Sequence, residues 1–263
     1  MDDSRYSYYV KNFSVVFRRA LKRQLADAIE RLSGAHELYE LQSINPVLSE
    51  KPISEAILQI YQSVGTYNMK QTINAIRGSK KALTDVEKLY MARMQDYVEK
   101  NCGKKIKWIT STSEARFKEV VKREVTWGME KGSSIDTIAN EIRKSLIIEQ
   151  SYRAVRIART ETIGAANAGS LTGAKDTGLN LEKGWLAARR ENVRNSHKKM
   201  NGVFVDLNAM FQVPIFDGDT FTGNYESLSH PGDTNGSGGN IINCRCTLVY
   251  RRKQNSYQQG LNL

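Results

Sequence analysis

The chain has 263 residues, 25% of them charged and 40% hydrophobic, with a net charge of +11. That length supports one large domain or two ordinary ones, and that balance excludes a disordered chain. No apolar run approaches the roughly 18 residues needed to cross a bilayer, and three cysteines do not make a disulfide framework.

The opening MDDSRYSYYV lacks a basic stretch followed by an apolar one, so no secretory signal is expected and the chain should stay in the cytosol where it is made. In FSVVFRRALKRQLADAIERL, apolar residues from Phe13 to Leu32 recur at three- and four-residue spacing, which predicts an amphipathic helix. No proline falls between Ile53 and Val213, so that long stretch is free to be helical. ISEAILQIYQSVGTYNMKQTINAI reads as a helix after Pro52. LTDVEKLYMARMQDYVEK follows, capped by Thr84 or Asp85. A strand is expected around Lys105–Ile109. A helix then opens at the Ser/Thr cluster of TSTSEARFKEVVKREVTWGMEKG, since such residues cap helices. SSIDTIANEIRKSL predicts a short helix entered through Ser133 or Ser134.

The helix expected from about Glu149 to Asp176 contains RTETIGAANAGSLTGA, whose Gly and Ala lower helicity but let another backbone come close. Ala154, Ala158, Glu161, Ala165 and Ala168 share one stripe. Glu161 therefore faces small apolar neighbours and needs a partner. It is a weak catalytic candidate against the plainer reading of a structural ion pair.

After Leu179 the pattern changes. LEKGWLAAR reads as a strand carrying Trp185, NVRNSHKKMNG as a short helix ending at Gly202, and GVFVDL and QVPIFDG as short strands. HPGDTNGSGGN is a glycine-rich loop, IINCRCTLVYRR the last strand, and QNSYQQGLNL a polar tail. The fold class is α+β: a mostly helical N-terminal region followed by a small mixed α/β C-terminal domain with short strands. The change of pattern divides the chain into residues 1–131, 132–253 (motif core 149–252) and a tail, 254–263.

From residue 151 onward there are 14 Lys and Arg against 9 Asp and Glu, so the positive excess is spread over both halves. Such a surface favours a polyanion such as DNA, or is simply solvated. Chemistry concentrates in INCRC. If Cys244 and Cys246 lie on a strand they face one way and Arg245 the other. Two thiolates so placed suit zinc, with His197 and His230 as further ligands. The alternatives are that the cysteines pack as small buried hydrophobes or serve redox chemistry, although a disulfide between them would be strained. Nothing else marks a catalytic site: no P-loop, hydrolase elbow or dinucleotide fingerprint is present.

ARTETIGAANAG, then WLAARRENVRNSHKKMNG, then a Pro-Gly loop, then INCRC, in that order over about residues 132–252, resembles the phage Mu F-like head-morphogenesis domain, the minor head (minor capsid) protein family of tailed bacteriophages. The resemblance implies a virion protein present in few copies, in the capsid interior or at the portal vertex, assembled in the host cytoplasm. Its implied partners are the portal protein, packaged double-stranded DNA, and scaffold or major capsid protein, with no membrane. Metal binding by family cysteines and histidines is part of what it implies. The motif carries Arg159, Glu161, Trp185, Arg194, His197, Gly202, Pro231, Gly232, Asn243, Cys244, Arg245 and Cys246. His230 departs from it, and Glu191 stands in for a usual polar position. The competing functions are a metal-dependent hydrolase or transferase built on Glu161, His197 and the cysteines, and a non-specific DNA-binding module.

Overall fold

The computed structural model describes residues 2–78, 86–188 and 193–253. The expected cap at Thr84 or Asp85, the role of Glu191 and the tail 254–263 lie outside the described residues. The chain divides into two compact units: Asp2–Ile60 with Tyr97–Arg159, and Tyr61–Asp96 with Thr160 onward.

The first is all helix: α1 (Asp3–Gln24), α2 (Ala26–Ser33), α3 (Leu38–Ser43), α4 (Lys51–Ile60), the end of α6 (Val86–Asn101), α7 (Gly103–Glu130) and the first part of α8 (Ile135–Asp176). The single helix expected over 13–32 is broken at Leu25, where the backbone leaves the helical region (φ −98°, ψ 2°). Leu25 stays in the core beside Leu32, Leu41, Phe117, Val121 and Ile142. The break thus redirects the chain without exposing its apolar stripe.

The strand expected at Lys105–Ile109 is instead the first two turns of α7. The Ser/Thr cluster that read as a cap sits inside this helix. Its hydroxyls bond back to carbonyls one turn earlier, Thr112 to Trp108 at 2.7 Å and Ser113 to Ile109 at 3.0 Å. Such bonding lets Ser and Thr be carried mid-helix. Ser134 does cap α8, its hydroxyl accepting from the Thr137 amide at 3.3 Å. The two helices expected after Gly132 run together as one 42-residue helix, because no proline or glycine turn separates them.

The second unit contains a π-helical turn at Tyr61–Gly65, α5 (Thr66–Arg77), the start of α6 and the C-terminal part of α8. The small residues of α8 are used as their composition suggests. A Cβ on Gly169 would stand 2.0 Å from the Gly65 carbonyl oxygen, and one on Gly173 2.7 Å from that of Met69. Two backbones therefore touch at a site where only glycine fits, and the π turn places Gly65 there.

Past α8 come β1 (Leu181–Leu186), α9 (Asn195–Met200), β2 (Phe204–Asp206), β3 (Phe211–Asp217), β4 (Thr220–Leu228), α10 (Gly238–Ile241) and β5 (Thr247–Arg252). They form an antiparallel sheet in the order β2-β1-β5 and a separate β3-β4 hairpin. The fold is therefore α+β, a helix-rich N-terminal region followed by a small mixed α/β region with short strands. β4 was not expected. Its signal was present in Asp217-Gly218: pairing of Asp217 with Thr220 leaves a two-residue turn opened by Gly218 at φ +56°, the position where a type II′ hairpin needs glycine.

Candidate metal centre

The site is assembled around the C-terminal part of α8. Asn167, 2% exposed, projects from that helix and reaches two separate segments. Its amide nitrogen donates to the Pro231 carbonyl at 2.9 Å and to the Cys246 carbonyl at 3.0 Å, while its oxygen accepts from the Leu248 amide at 3.1 Å. One side chain thereby fixes both the Pro-Gly loop and the start of β5. Gly232 (φ +75°) brings that loop against α8, where a Cβ would lie 3.2 Å from the Gly164 backbone. Thr160 accepts from the Asn243 amide at 3.1 Å. Asn243 has φ +55°, a left-handed conformation that Asn tolerates better than most side chains.

β5 begins only at Thr247, so Cys244 and Cys246 precede the strand on which they were expected. The alternation survives: both cysteines are buried and Arg245 is half-buried. The Arg194 guanidinium donates to the Ile242 carbonyl, tying the residue before α9 to this segment. α9 is held further by Ser196, which donates to Asn240 at 2.8 Å, and by the Gly202 amide, which donates to the Trp185 carbonyl at 2.8 Å. Those contacts place His197 beneath Trp185, ring centroids 5.3 Å apart, with Phe211 on Trp185 at 5.4 Å.

His197, Cys244 and Cys246 are all buried, with one ligand atom from each within 4.8 Å of the others. His197 Nδ1 lies 3.4 Å from Cys246 Sγ and 3.7 Å from Cys244 Sγ. Nitrogen and sulfur ligands on one tetrahedral zinc, at about 2.0 and about 2.3 Å from the ion, stand roughly 3.6 Å apart. The two observed separations bracket that value. The buried His197 Nε2 and Trp185 Nε1 have no hydrogen-bond partner among the described residues. The donor set therefore fits a thiophilic ion such as zinc, held by two thiolates and one imidazole.

The protein prepares the thiols electrostatically. Contact with the Cys244 thiol and then with His197 lowers the Cys246 pKa, to about 4, against the opposing effect of burial. The same contact and burial push Cys244 well above the usual thiol range. A bound cation would displace the proton the two sulfurs share.

The other residues named from sequence are placed as follows. Glu161 is buried, 2% exposed, on the expected small-residue stripe, and Arg159 is exposed. His230 is fully buried but is not one of the three clustered ligands; its Nδ1 lies 3.0 Å from the Pro231 carbonyl oxygen. Beside it, buried Asp233 accepts from the Ser229 amide and hydroxyl and from the Asn235 amide, at 2.6, 2.5 and 3.0 Å. Burial raises its pKa, but His230 and these donors outweigh that and lower it. Lys183, pointing inward from β1, donates to the Ser229 carbonyl at 2.8 Å. Burial pushes its pKa down to about 8. Asn167 and Lys183 carried no sequence signal beyond being polar residues in otherwise apolar or small surroundings.

Residues 119–249 match the family described as "Phage Mu protein F like protein". The NAD(+)--arginine ADP-ribosyltransferase EFV of Enterococcus faecalis (strain ATCC 700802 / V583) is 31% identical over 133 residues, which are 49% of this chain and 25% of that protein. The chain thus spans about a quarter of that relative's length. No solved structure matches.

Proposed function

The chain belongs to the Phage Mu protein F like family through residues 119–249, and from that premise we propose that it is a minor head protein of a tailed bacteriophage. It acts in head morphogenesis, in the capsid interior or at the portal vertex, with portal protein and packaged DNA as partners. The observation that carries this reading is the convergence of the ordered motifs on one place. Thr160 and Asn167 of the α8 run, Trp185, His197, the Pro-Gly loop and the cysteine pair are linked by the contacts above.

In this reading zinc, where bound, supplies a cross-link between α9 and the segment before β5. Cys244, Cys246 and His197 hold it, and Asn167 and Arg194 position the segment that presents the thiols. The contact with DNA is electrostatic. Residues 97–159 carry 14 Lys and Arg against 8 Asp and Glu, an excess suited to phosphates without sequence preference. No described helix is long and apolar enough to cross a membrane.

Co-expression with the portal protein of the same phage tests the assignment. The chain is expected to co-purify with portal and to enter procapsids. Absence from both under assembly conditions removes the reading.

A second reading, a metal-dependent hydrolase or transferase, is favoured by the three-ligand set, since a zinc with three protein ligands keeps a fourth position open, and by buried Glu161. The relative's name brings arginine ADP-ribosylation as its concrete form. Incubation with NAD(+) and an arginine-rich acceptor that leaves no adduct removes that form. Activity on any substrate that survives Glu161→Gln removes Glu161 from it.

A further inference from the structure

The charges of the helical unit are distributed unevenly. On α7 and α8 many of them are paired with the opposite sign: Arg116 with Glu119, Lys118 with Glu114, Arg123 with Glu124 and Lys144 with Glu141, at 2.6–2.7 Å. α1 differs. From Ser4 to Ala26 the chain holds six Lys and Arg and no Asp or Glu. Arg23 reaches across to Glu55 at 2.9 Å. Lys11, Arg18, Arg19 and Lys22 are exposed and make no ion pair among the described residues.

Helical spacing gathers these four cations. α1 buries Phe13, Phe17, Ala20 and Leu21. At 3.6 residues per turn, Lys11, Arg18 and Lys22 fall within about 40° of one another, opposite Phe13 and Ala20, with Arg19 beside them. The row from Lys11 to Lys22 rises about 16 Å. The helix dipole favours Lys22 and Arg23, which lie in the last turn, but not Lys11, Arg18 or Arg19. Arg18 and Lys22 stand four residues apart, where like charges repel. An anion laid along the row relieves that repulsion.

The rest of the face says which anion. A bilayer needs an apolar face to insert, and the apolar side of α1 is spent on the core. A protein partner needs an apolar centre of contact, and this face offers only half-buried Val15 and, at one end, Tyr8. Single-stranded nucleic acid is held by successive stacked bases, and one tyrosine is no platform. A duplex backbone asks for nothing but cations in a row. At 3.4 Å per base pair, the row matches about five base pairs.

We propose that the outer face of α1 binds the phosphate backbone of double-stranded DNA, without sequence preference, through Lys11, Arg18, Arg19 and Lys22. The proposal rests on the reading that DNA is a partner of this chain, and gives that contact a defined helix face.

Fluorescence anisotropy of a labelled mixed-sequence duplex with the full chain tests it. Four phosphate contacts predict an affinity that falls about 150-fold between about 50 and about 200 mM salt. Lys11→Gln, Arg18→Gln and Lys22→Gln together should reduce that fall to about fourfold and weaken binding at the lower salt. Helical ellipticity should be unchanged, since Gln matches Lys and Arg in helix propensity. The charge-keeping set Lys11→Arg, Arg18→Lys and Lys22→Arg should retain the wild-type salt dependence. So should Lys118→Gln, Arg123→Gln and Lys144→Gln together, which remove the same charge from paired positions. Wild-type binding whose salt dependence survives the α1 substitutions, or falls equally with the paired-position set, overturns the α1 face and leaves DNA as a partner. No wild-type binding at the lower salt overturns both. Tighter binding to phosphatidylserine vesicles than to the duplex overturns the choice of DNA.

Discussion

In the unit formed by residues 2–60 and 97–159, the buried cluster is made of Leu, Ile, Val, Ala and Phe from several helices. In the unit that carries the site, Trp185, Phe211 and Val213 are packed with Cys244 and Cys246, and Asn167, Lys183, His197, His230 and Asp233 are buried too. That apolar cluster is held by burial and tolerates rearrangement among similar volumes, although the helical unit also buries the pairs Gln24–Thr110 and Arg153–Ser113. The second interior depends on each polar group finding its partner, since one left unpaired costs its full desolvation. The difference separates a scaffold from a region whose geometry is fixed closely enough to present ligands.

The largest expected effect sets the two interiors against each other. Asn167→Ala strands the Pro231 and Cys246 carbonyls and the Leu248 amide, at about 4 kcal/mol when such groups cost about 1–3 kcal/mol each and partly re-solvate. Leu32→Ala, at a fully buried position of the helical unit, costs about 3 kcal/mol through its cavity. Urea unfolding, followed by the near-ultraviolet dichroism of Trp185, measures the first change; helical ellipticity measures the second. If Asn167→Ala costs less than Leu32→Ala, polar pairing is not what holds the site.

Metal sharpens the same contrast. Zinc bound at 100 times its dissociation constant adds about 2.7 kcal/mol to the folded state. Cys244→Ser or Cys246→Ser should abolish metal detected by elemental analysis and remove the rise in melting temperature that added zinc gives the wild type. Leu32→Ala should leave metal content unchanged. Wild-type protein purified without chelator and carrying no metal would retire the site.

Acid should act on the site unit. The folded-state pKa of Asp233 lies below its ordinary 3.8. The stability it contributes is therefore complete above about pH 5 and is lost as pH falls through the folded value. Asp233→Asn should lower stability at neutral pH and flatten this acid limb of a melting-temperature profile; an unchanged limb would assign it to other carboxylates. The smallest effect is at alkaline pH. Lys183 loses its proton near pH 8 when folded but near 10.5 when unfolded. The folded state thus binds fewer protons across that window, and this residue's contribution to stability rises with pH. The wild type should gain on Lys183→Met between those values, and a constant difference would deny that the buried ammonium is strained.

Much of this was legible in the sequence, and the exceptions have physical causes. Apolar periodicity located the helical stripes, and the Gly/Ala run foretold a close backbone approach, met at Gly169 and Gly65. Periodicity could not see the break at Leu25, since the stripe continues across it. The Lys105–Ile109 segment misled because a short apolar alternation fits a strand or a helix equally, and only the packing of α7 decides. The change of pattern near residue 132 suggested a domain boundary. The compact units divide at 60/61, 96/97 and 159/160, within continuous helical runs where no linker residue could signal a division.

Residue chemistry and order alone determined the α+β class, the family, the basic balance and the cysteine pair with its two candidate histidines. These are properties of composition, periodicity and motif, which the chain carries without being folded. Only the tertiary structure decided that His197 and not His230 meets the cysteines, and that Asn167 ties the loop to the strand. Each is a contact between residues far apart in the chain, and such contacts are set by packing and by the pairing of buried polar groups.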